Sequence, residues 1–288
     1  MSVNRDLRDS ENSTIGIGLI CLYLGGKKMK VANKTALVTG AGSGMGRQFT
    51  LELVKRGAKV IAVDMRSETL EETKKLAGKN VETFLLDITN REAVAALPGK
   101  VGDIDILINN AGIIQPFVKI NDLDFISAEK VMNVNFYGPF AMIKAFLPGL
   151  LKRPAAHILN VSSMGAYAPV PGQSVYGASK AAVKLMTEGL RSELMGTNVS
   201  VTVAFPGAVN TNISVNSGLA IPAGVENSSQ AMKSLPAQEA AKIMVDAIES
   251  NKARVTVGKD ATFMDRISRL NPVFAANLIY KQMKTLLQ

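Results

Sequence analysis

From about residue 34 to residue 258, short apolar runs alternate with segments of helical periodicity. That alternation constrains the fold more than any other feature of the chain. Thr35–Thr39, Lys59–Val63, Val81–Leu86, Ile104–Ile108, His157–Val161, Val199–Phe205 and Ala253–Val257 each have strand length. They are apolar at nearly every position, which suits a sheet covered on both faces. Helical patterns lie between them: 44–57, where Met45, Phe49, Leu53 and Val54 recur at helical spacing, then 70–77, 91–97, 123–151 with Pro139 in its second half, 176–194 and 238–249. Repeated strand–helix–strand units with short links imply an α/β fold, a single doubly wound parallel sheet with helices on both faces. No repeat, low-complexity tract or linker divides 31–258, so these residues read as one domain.

Composition removes several classes of chemistry. A chain of 288 residues, 47% hydrophobic and 20% charged, buries enough surface to fold without a covalent or metal staple. Cys21 is the only cysteine and His157 the only histidine. An intrachain disulfide, a Cys-based metal site and a multi-His centre are therefore excluded. A Ser-His-Asp hydrolase would rest on His157 alone, which opens the fifth strand and reads as structural. The net charge of +9 lies mostly at the two ends, with +2 in residues 1–30 and +5 in residues 252–288. A nucleic-acid binder more often carries a basic stripe across its main body, so no nucleic-acid partner is expected. The apolar stretch Ile15–Gly26 has twelve residues, against roughly 20 for a membrane span. Asp6, Asp9 and Glu11 precede it and no small-residue cleavage site follows, unlike a signal peptide. Residues 1–30 are expected to be an N-terminal extension, disordered or foreign to the folded domain, and the protein to be cytoplasmic.

After the first strand comes Thr39-Gly40-Ala41-Gly42-Ser43-Gly44-Met45-Gly46, which opens the first helix. Glycine allows positive φ and close approach to the backbone. Amides at the helix start then face a bound phosphate, and the helix dipole favours its charge. Asp64 stands 18 residues beyond Gly46, at the end of the second strand. Its carboxylate can accept bonds from the 2′- and 3′-hydroxyls of an adenosine ribose and would repel a 2′-phosphate.

Tyr176 and Lys180 are four apart on a helical segment and so share a face. The same spacing occurs in ordinary surface pairs; the phosphate turn upstream is what gives it chemical meaning. A free phenol titrates near ~10, too high for proton exchange at neutral pH. A neighbouring cation favours phenolate, and depression by roughly 3–4 kcal/mol would bring the group near working pH.

Together these motifs resemble the short-chain dehydrogenase/reductase family, over roughly residues 34–258. Thr39–Gly46 fits that family's Thr-Gly-x-x-x-Gly-x-Gly turn. Asp87 matches the acid that bonds adenine, Asn109-Asn110-Ala111-Gly112 the segment beside the adenine ribose, and Pro206-Gly207 with Thr211 the turn that holds the nicotinamide carboxamide. Asn135, in Asn-Phe-Tyr-Gly, matches the catalytic asparagine. Ser163 lies 13 residues before Tyr176, the family's usual interval, and is chosen over Ser162 on that ground. The resemblance implies a Rossmann-type fold and hydride transfer between nicotinamide and a carbinol carbon. Tyr176 would be proton donor or acceptor, and Ser163 would orient the substrate oxygen. Lys180 would bond the nicotinamide ribose and lower the phenol pKa, and Asn135 would bend its helix and hold a water leading to Lys180. The implied cofactor set is Gly40, Ser43, Gly44, Met45, Gly46, Asp64, Asp87, Ile88, Asn110, Ala111, Gly112, Tyr176, Lys180, Pro206, Gly207, Val209 and Thr211, with no metal. It also implies a homo-dimer or homo-tetramer, although the C-terminal extension could block one of the usual contacts.

Cofactor and substrate differ in legibility. Ser43 and Met65 occupy the places where phosphate-preferring members often carry a basic residue, and Asp64 is present, so NAD is expected over NADP; Arg66 could still swing toward a 2′-phosphate. The segment 208–236 reads as a substrate loop, and Leu219, Ala220 and Ile221 within it suggest a hydrophobic or mixed alcohol or ketone. Two alternatives stand beside an NAD(H)-dependent alcohol/ketone oxidoreductase: a 3-oxoacyl-thioester reductase acting on acyl-carrier-protein or CoA substrates, and a non-enzymatic NAD-binding sensor or scaffold. Residues 259–288 read as a further helical segment. In it Asn277, Lys281 and Lys284 oppose Ala276, Tyr280, Met283 and Leu287, for core packing or a subunit contact, with a membrane surface as the sharper alternative.

Overall fold

A computed structural model describes residues 28–211, 213–219 and 234–283. Cys21 and nearly all of the N-terminal extension, Ala220 and Ile221 of the substrate loop, and Lys284 and Leu287 lie outside the described residues. Seven parallel strands form the central sheet: β1 (Thr35–Thr39), β2 (Lys59–Asp64), β3 (Val81–Leu85), β4 (Ile106–Asn109), β5 (Ala156–Val161), β6 (Val199–Pro206) and β7 (Arg254–Val257). Their spatial order is β3-β2-β1-β4-β5-β6-β7, every pairing parallel. The order reverses between β1 and β4. Connections leave in opposite directions there and open a crevice above the carboxyl ends of the strands, where ligands of such sheets bind.

Adjacent residues of one strand feed opposite cores, so the strands read as continuous apolar runs. Val38 of β1 packs with α1 (Gly44–Lys55), α2 (Ser67–Ala77) and α7 (Ala237–Glu249) through Phe49, Leu53, Leu70, Met244 and Ile248. Leu37, its neighbour, packs on the other face with α3 (Arg91–Val101), α5 (Gly138–Leu150) and α6 (Ser174–Glu193) through Leu97, Met142, Phe146 and Leu190. A buried polar ladder fixes three elements that reach the site. Asn109 of β4 donates to Asn160 of β5 at 2.8 Å, and Asn160 donates to Thr187 of α6 at 2.9 Å.

Two helical readings need correction. The stretch 123–151 is not one α-helix: α4 (Phe125–Met132) runs into a π-turn over Asn133–Tyr137, and Pro139 stands in the first turn of α5. Asp124 caps α4 by accepting from the Ser127 amide at 2.7 Å. Beyond β7 the helical segment is two helices, α8 (Lys259–Leu270) and α9 (Pro272–Met283), because Pro272 has no amide to continue α8 and restrains Asn271 to extended backbone. Of the face expected on α9, Met283 packs inward, but Ala275 and Ile279 are the buried residues and Tyr280 is more than half exposed. No described helix is long and apolar enough to cross a membrane.

Candidate active site at the carboxyl edge of the sheet

The glycine turn is built so that its carbonyls point into protein and its first helical amides stay open. Thr73 of α2 donates to the Ala41 carbonyl at 3.0 Å, and the Arg47 guanidinium donates to the Gly42 carbonyl at 2.6 Å. Gly40 and Gly44 have φ of 67° and 50°, a region other residues avoid. Ser43, at the N-cap of α1, makes no capping bond, and the first turn holds no acidic side chain. The amides there lack intrahelical acceptors, so an anion is the partner they suit.

Around this turn lies a crevice of about 690 Å³. Its wall takes in Gly40, Ser43, Gly44, Met45, Asp64, Asp87, Ile88, Asn110, Ala111, Gly112 and Thr211, eleven of the residues singled out from sequence. Asp64 is buried at one end of it, where Oδ2 accepts from the Gly42 amide at 3.0 Å and Oδ1 from the Arg66 amide at 3.2 Å. The Arg66 side chain also reaches this end, donating to Asn216 Oδ1 at 2.9 Å, while Asn216 Nδ2 donates to Ser43 Oγ at 2.8 Å. Asp87 holds an Asx turn by accepting from the Thr89 amide at 2.9 Å.

Six expected cofactor residues do not line the crevice: Gly46, Pro206, Gly207 and Val209, and beyond its Gly112 end Tyr176 and Lys180. A side chain on Gly46 would collide with the Gly40 carbonyl and Asn110, so its contribution is close packing of α1 on β1. Pro206 ends β6 in the core, and Gly207 is pressed against Asp260 of α8. Val209 packs on the apolar core and pairs with Leu235. The four expected catalytic residues, Asn135, Ser163, Tyr176 and Lys180, lie past the Gly112 end. A methyl placed on Gly112 would meet Lys180 Nζ at 3.1 Å and Asn135 Oδ1 at 3.3 Å, so both atoms face one point on the crevice floor.

Tyr176 and Lys180 are one turn apart on α6, with the ammonium 6.0 Å from the phenol ring centroid. Ser163 stands beside Tyr176: a methyl on Gly165 would touch both Ser163 Oγ and the Tyr176 ring at 3.4 Å. Ser163 also accepts from the Gly165 amide at 3.0 Å. Ser162 turns away and donates to the Lys180 carbonyl at 2.7 Å, so Ser163 is the hydroxyl at the site. Lys180 donates to the Val161 carbonyl at 3.1 Å. Burial brings its pKa down to about 8, a poised rather than a permanently charged amine.

The expected lowering of the Tyr176 pKa is not produced by the protein's own groups. Burial raises it, and the neighbouring Ser163 hydroxyl only partly opposes that rise. The reason is geometric: the ammonium sits toward the ring and Val161, and it is itself desolvated. Asn135 does mark a helix distortion, the π-turn, a feature that recurs at functional sites. Its amide, however, donates to the Ile113 carbonyl at 2.9 Å and to Ser179 Oγ at 3.0 Å, and Oδ1 accepts from the Ile113 amide at 2.9 Å. One lone pair of Oδ1 is all the side chain retains for a water.

Several residues at the site had no motif to announce them. Gln115 Oε1 accepts from the Tyr176 amide at 2.8 Å, and Gln173 Nε2 donates to the Gln115 carbonyl at 2.7 Å, both glutamines buried. Ser217 Oγ accepts from the Ile114 amide at 3.0 Å, laying the 213–219 segment across the crevice. These pairs span 58, 61 and 103 residues of sequence, beyond the reach of any local pattern.

The crevice at the switch point of the sheet, beside a half-buried Tyr–Ser pair and a buried lysine, defines a nicotinamide-dependent oxidoreductase of the doubly wound class. The short chain dehydrogenase family profile matches residues 34–220. SadH of Mycobacterium tuberculosis is 34% identical over 250 residues, 82% of this chain and 90% of that one. The NADP-dependent 3-hydroxy acid dehydrogenase YdfG of Salmonella typhi is 41% identical over 180 residues, 60% of this chain and 71% of that one. A crystal structure of a short chain dehydrogenase/reductase from Burkholderia phymatum in complex with NAD superposes with a TM-score of 0.75 at 25% identity, covering 85% of this chain and 98% of that one. The chain belongs to the short-chain dehydrogenase/reductase family and is an NAD(P)-dependent enzyme of it.

Proposed function

We propose that the protein interconverts a secondary alcohol and a ketone with NAD(H), and that Tyr176 moves the proton. The observation that carries this reading is the convergence of Tyr176 and Ser163 on one spot beside Gly165, with Lys180 and Asn135 meeting at Gly112 where the crevice ends. Bound nicotinamide supplies or accepts the hydride. Tyr176, kept protonated by burial, donates to the carbonyl oxygen in reduction and takes the proton back in oxidation. Ser163 holds that oxygen by a hydrogen bond and fixes its orientation. Lys180, its pKa brought down to about 8, is the residue that would hold the nicotinamide ribose when the coenzyme is bound. The π-turn at Asn135 carries the asparagine to Ser179, between Tyr176 and Lys180, and so sets the register of that turn of α6.

For the cofactor, the buried Asp64 carboxylate favours free ribose hydroxyls and opposes a 2′-phosphate. One observation favours NADP(H) instead: the Arg66 guanidinium and Ser43 hydroxyl stand at the same end of the crevice. Turnover with each coenzyme separates the two. The expected result is a kcat/KM ratio favouring NADH at least tenfold, inverted or erased in Asp64→Ala; an NADPH preference in the unmutated protein would reject the assignment. The substrate is read as hydrophobic or mixed, from the Ile113, Ile213 and Ser217 wall. A 3-hydroxy acid or its thioester is the narrower alternative, favoured by the likeness to YdfG. A screen for reduced nicotinamide over steroids, sugars, aliphatic alcohols and 3-hydroxyacyl thioesters tests the reading, and silence across every class with both coenzymes would overturn it.

A further inference from the structure

Helices α8 and α9 leave a surface that the proposed reaction does not use. They pack inward through Met264, Ala275 and Ile279, a small core of their own beside Ala168. The opposite stripe of α8 is Lys259, Phe263, Arg266 and Leu270, all exposed, at helical spacings of four, three and four. The chain turns at Asn271, and α9 then presents Val273, Phe274, Tyr280 and Lys281 to solvent. Leu270 is 86% exposed, Val273 70% and Phe274 54%. Single exposed apolar residues are ordinary, but three large ones at one corner mark an interaction surface.

The unpaired charge on these two helices has one sign. The only acids between 259 and 283 are Asp260 and Asp265, and both are spent inward. Asp260 accepts from the Ala208 amide at 2.6 Å, and Asp265 pairs with Arg254 and Arg269. Among the described residues Lys259, Arg266 and Lys281 pair with no carboxylate, so the unpaired charge that α8 and α9 present outward is cationic.

We infer that this corner docks on an anionic lipid surface. Leu270, Val273 and Phe274 enter the boundary between headgroups and acyl chains, and Arg266, Lys281 and Lys259 meet the lipid phosphates. A second copy of the chain fits less well, because a twofold contact through this corner would set the same cations against one another. Docking has a consequence for the site. The Asp260–Ala208 bond fixes the start of α8 to the turn that leads into the segment over the crevice. Leu270 is ten residues further on, about 15 Å along the helix, so a docked protein holds the crevice close to the bilayer, where an apolar substrate resides.

Flotation of the full chain with phosphatidylglycerol–phosphatidylcholine vesicles, about one lipid in three anionic, tests the inference against pure phosphatidylcholine. The unmutated protein is expected to float with the anionic vesicles, and raised salt to release it. Leu270→Ser with Phe274→Ser, and separately Arg266→Glu with Lys281→Glu, should each weaken partitioning roughly tenfold or more. The charge-reversed variant touches no packed residue, so it keeps the test decisive if the apolar variant misfolds. Equal partitioning to both vesicle types, no partitioning, or variants that float like the unmutated protein would overturn the inference. So would a concentration-dependent dimer abolished by the Leu270/Phe274 changes, which would assign the corner to a second copy. Binding is read without substrate, so the result stands apart from the role given to Tyr176.

Discussion

Replacing Lys180 by methionine should stabilise the protein at neutral pH while removing its activity. Lys180 is 4% exposed, and burial moves its pKa from an ordinary 10.5 to about 8. Below pH 8 both the folded and the unfolded chain carry the charge, and the folded state bears the whole penalty of desolvating it. That penalty is about 3 kcal/mol, from the separation of the two pKa values. Methionine has similar length and no charge, so it removes the penalty. It also removes the bond to the Val161 carbonyl and leaves that group unpaired, a loss of about 1–2 kcal/mol. The net gain at pH 7 is about 1–2 kcal/mol, which raises Tm by roughly 2–4 °C. The sign reverses with pH. Between about 8 and 10.5 the folded protein sheds the proton before the unfolded chain does, so the unmutated protein gains stability that the variant cannot. Thermal unfolding of both proteins without cofactor, followed by circular dichroism at pH 7 and again at pH 10, reads the effect. A variant destabilised equally at both values would refute the reasoning.

His157 is buried beside Thr202 with its pKa held down to about 3, first by desolvation and then by Arg191. Its folded pKa lies below its unfolded one, so it contributes stability that is lost as pH falls from about 6.5 toward 3; His157→Gln should flatten the acid limb of the Tm profile, and an unchanged limb would place acid sensitivity elsewhere. Gln115 positions Tyr176 through its backbone amide. Gln115→Ala should lower kcat roughly tenfold or more with little change in KM for coenzyme, and Gln115→Glu, which keeps the accepting oxygen, should recover part of it. An equal loss in both variants, explained by Tm alone, would reduce Gln115 to a packing residue.

The sheet was legible because a strand covered on both faces must be apolar throughout, and Leu37 and Val38 serve two different cores. The phosphate turn was legible for a similar reason. Gly40 and Gly44 adopt backbone angles that other residues avoid, and Gly46 touches the Gly40 carbonyl, so each leaves a glycine in the sequence. The π-turn left no such mark in the periodicity; only the resemblance, through Asn135, pointed to a bend there. It accompanies the bonds from Asn135 to Ile113 and Ser179, contacts 22 and 44 residues away, while the local pattern across 123–151 stays helical. Gln115 was invisible on the same grounds, since a loop glutamine gains meaning only from the Tyr176 amide it meets. The phase of α9 was misread by part of a turn because Tyr280, although apolar in body, faces solvent rather than Ala168. Direction of the Tyr176 shift needed coordinates as well: sequence places a cation one helical turn away but not the burial that outweighs it.

Tyr176→Phe tests the central claim most directly, measured as NADH binding by fluorescence titration and as turnover on whichever alcohol the screen identifies. The hydroxyl alone is removed and the ring keeps its packing. Coenzyme affinity should stay within about twofold, while turnover should fall by roughly two to four orders of magnitude, the range of a lost proton-transfer group. A variant that binds NADH normally and turns over within tenfold of the unmutated enzyme would contradict the account.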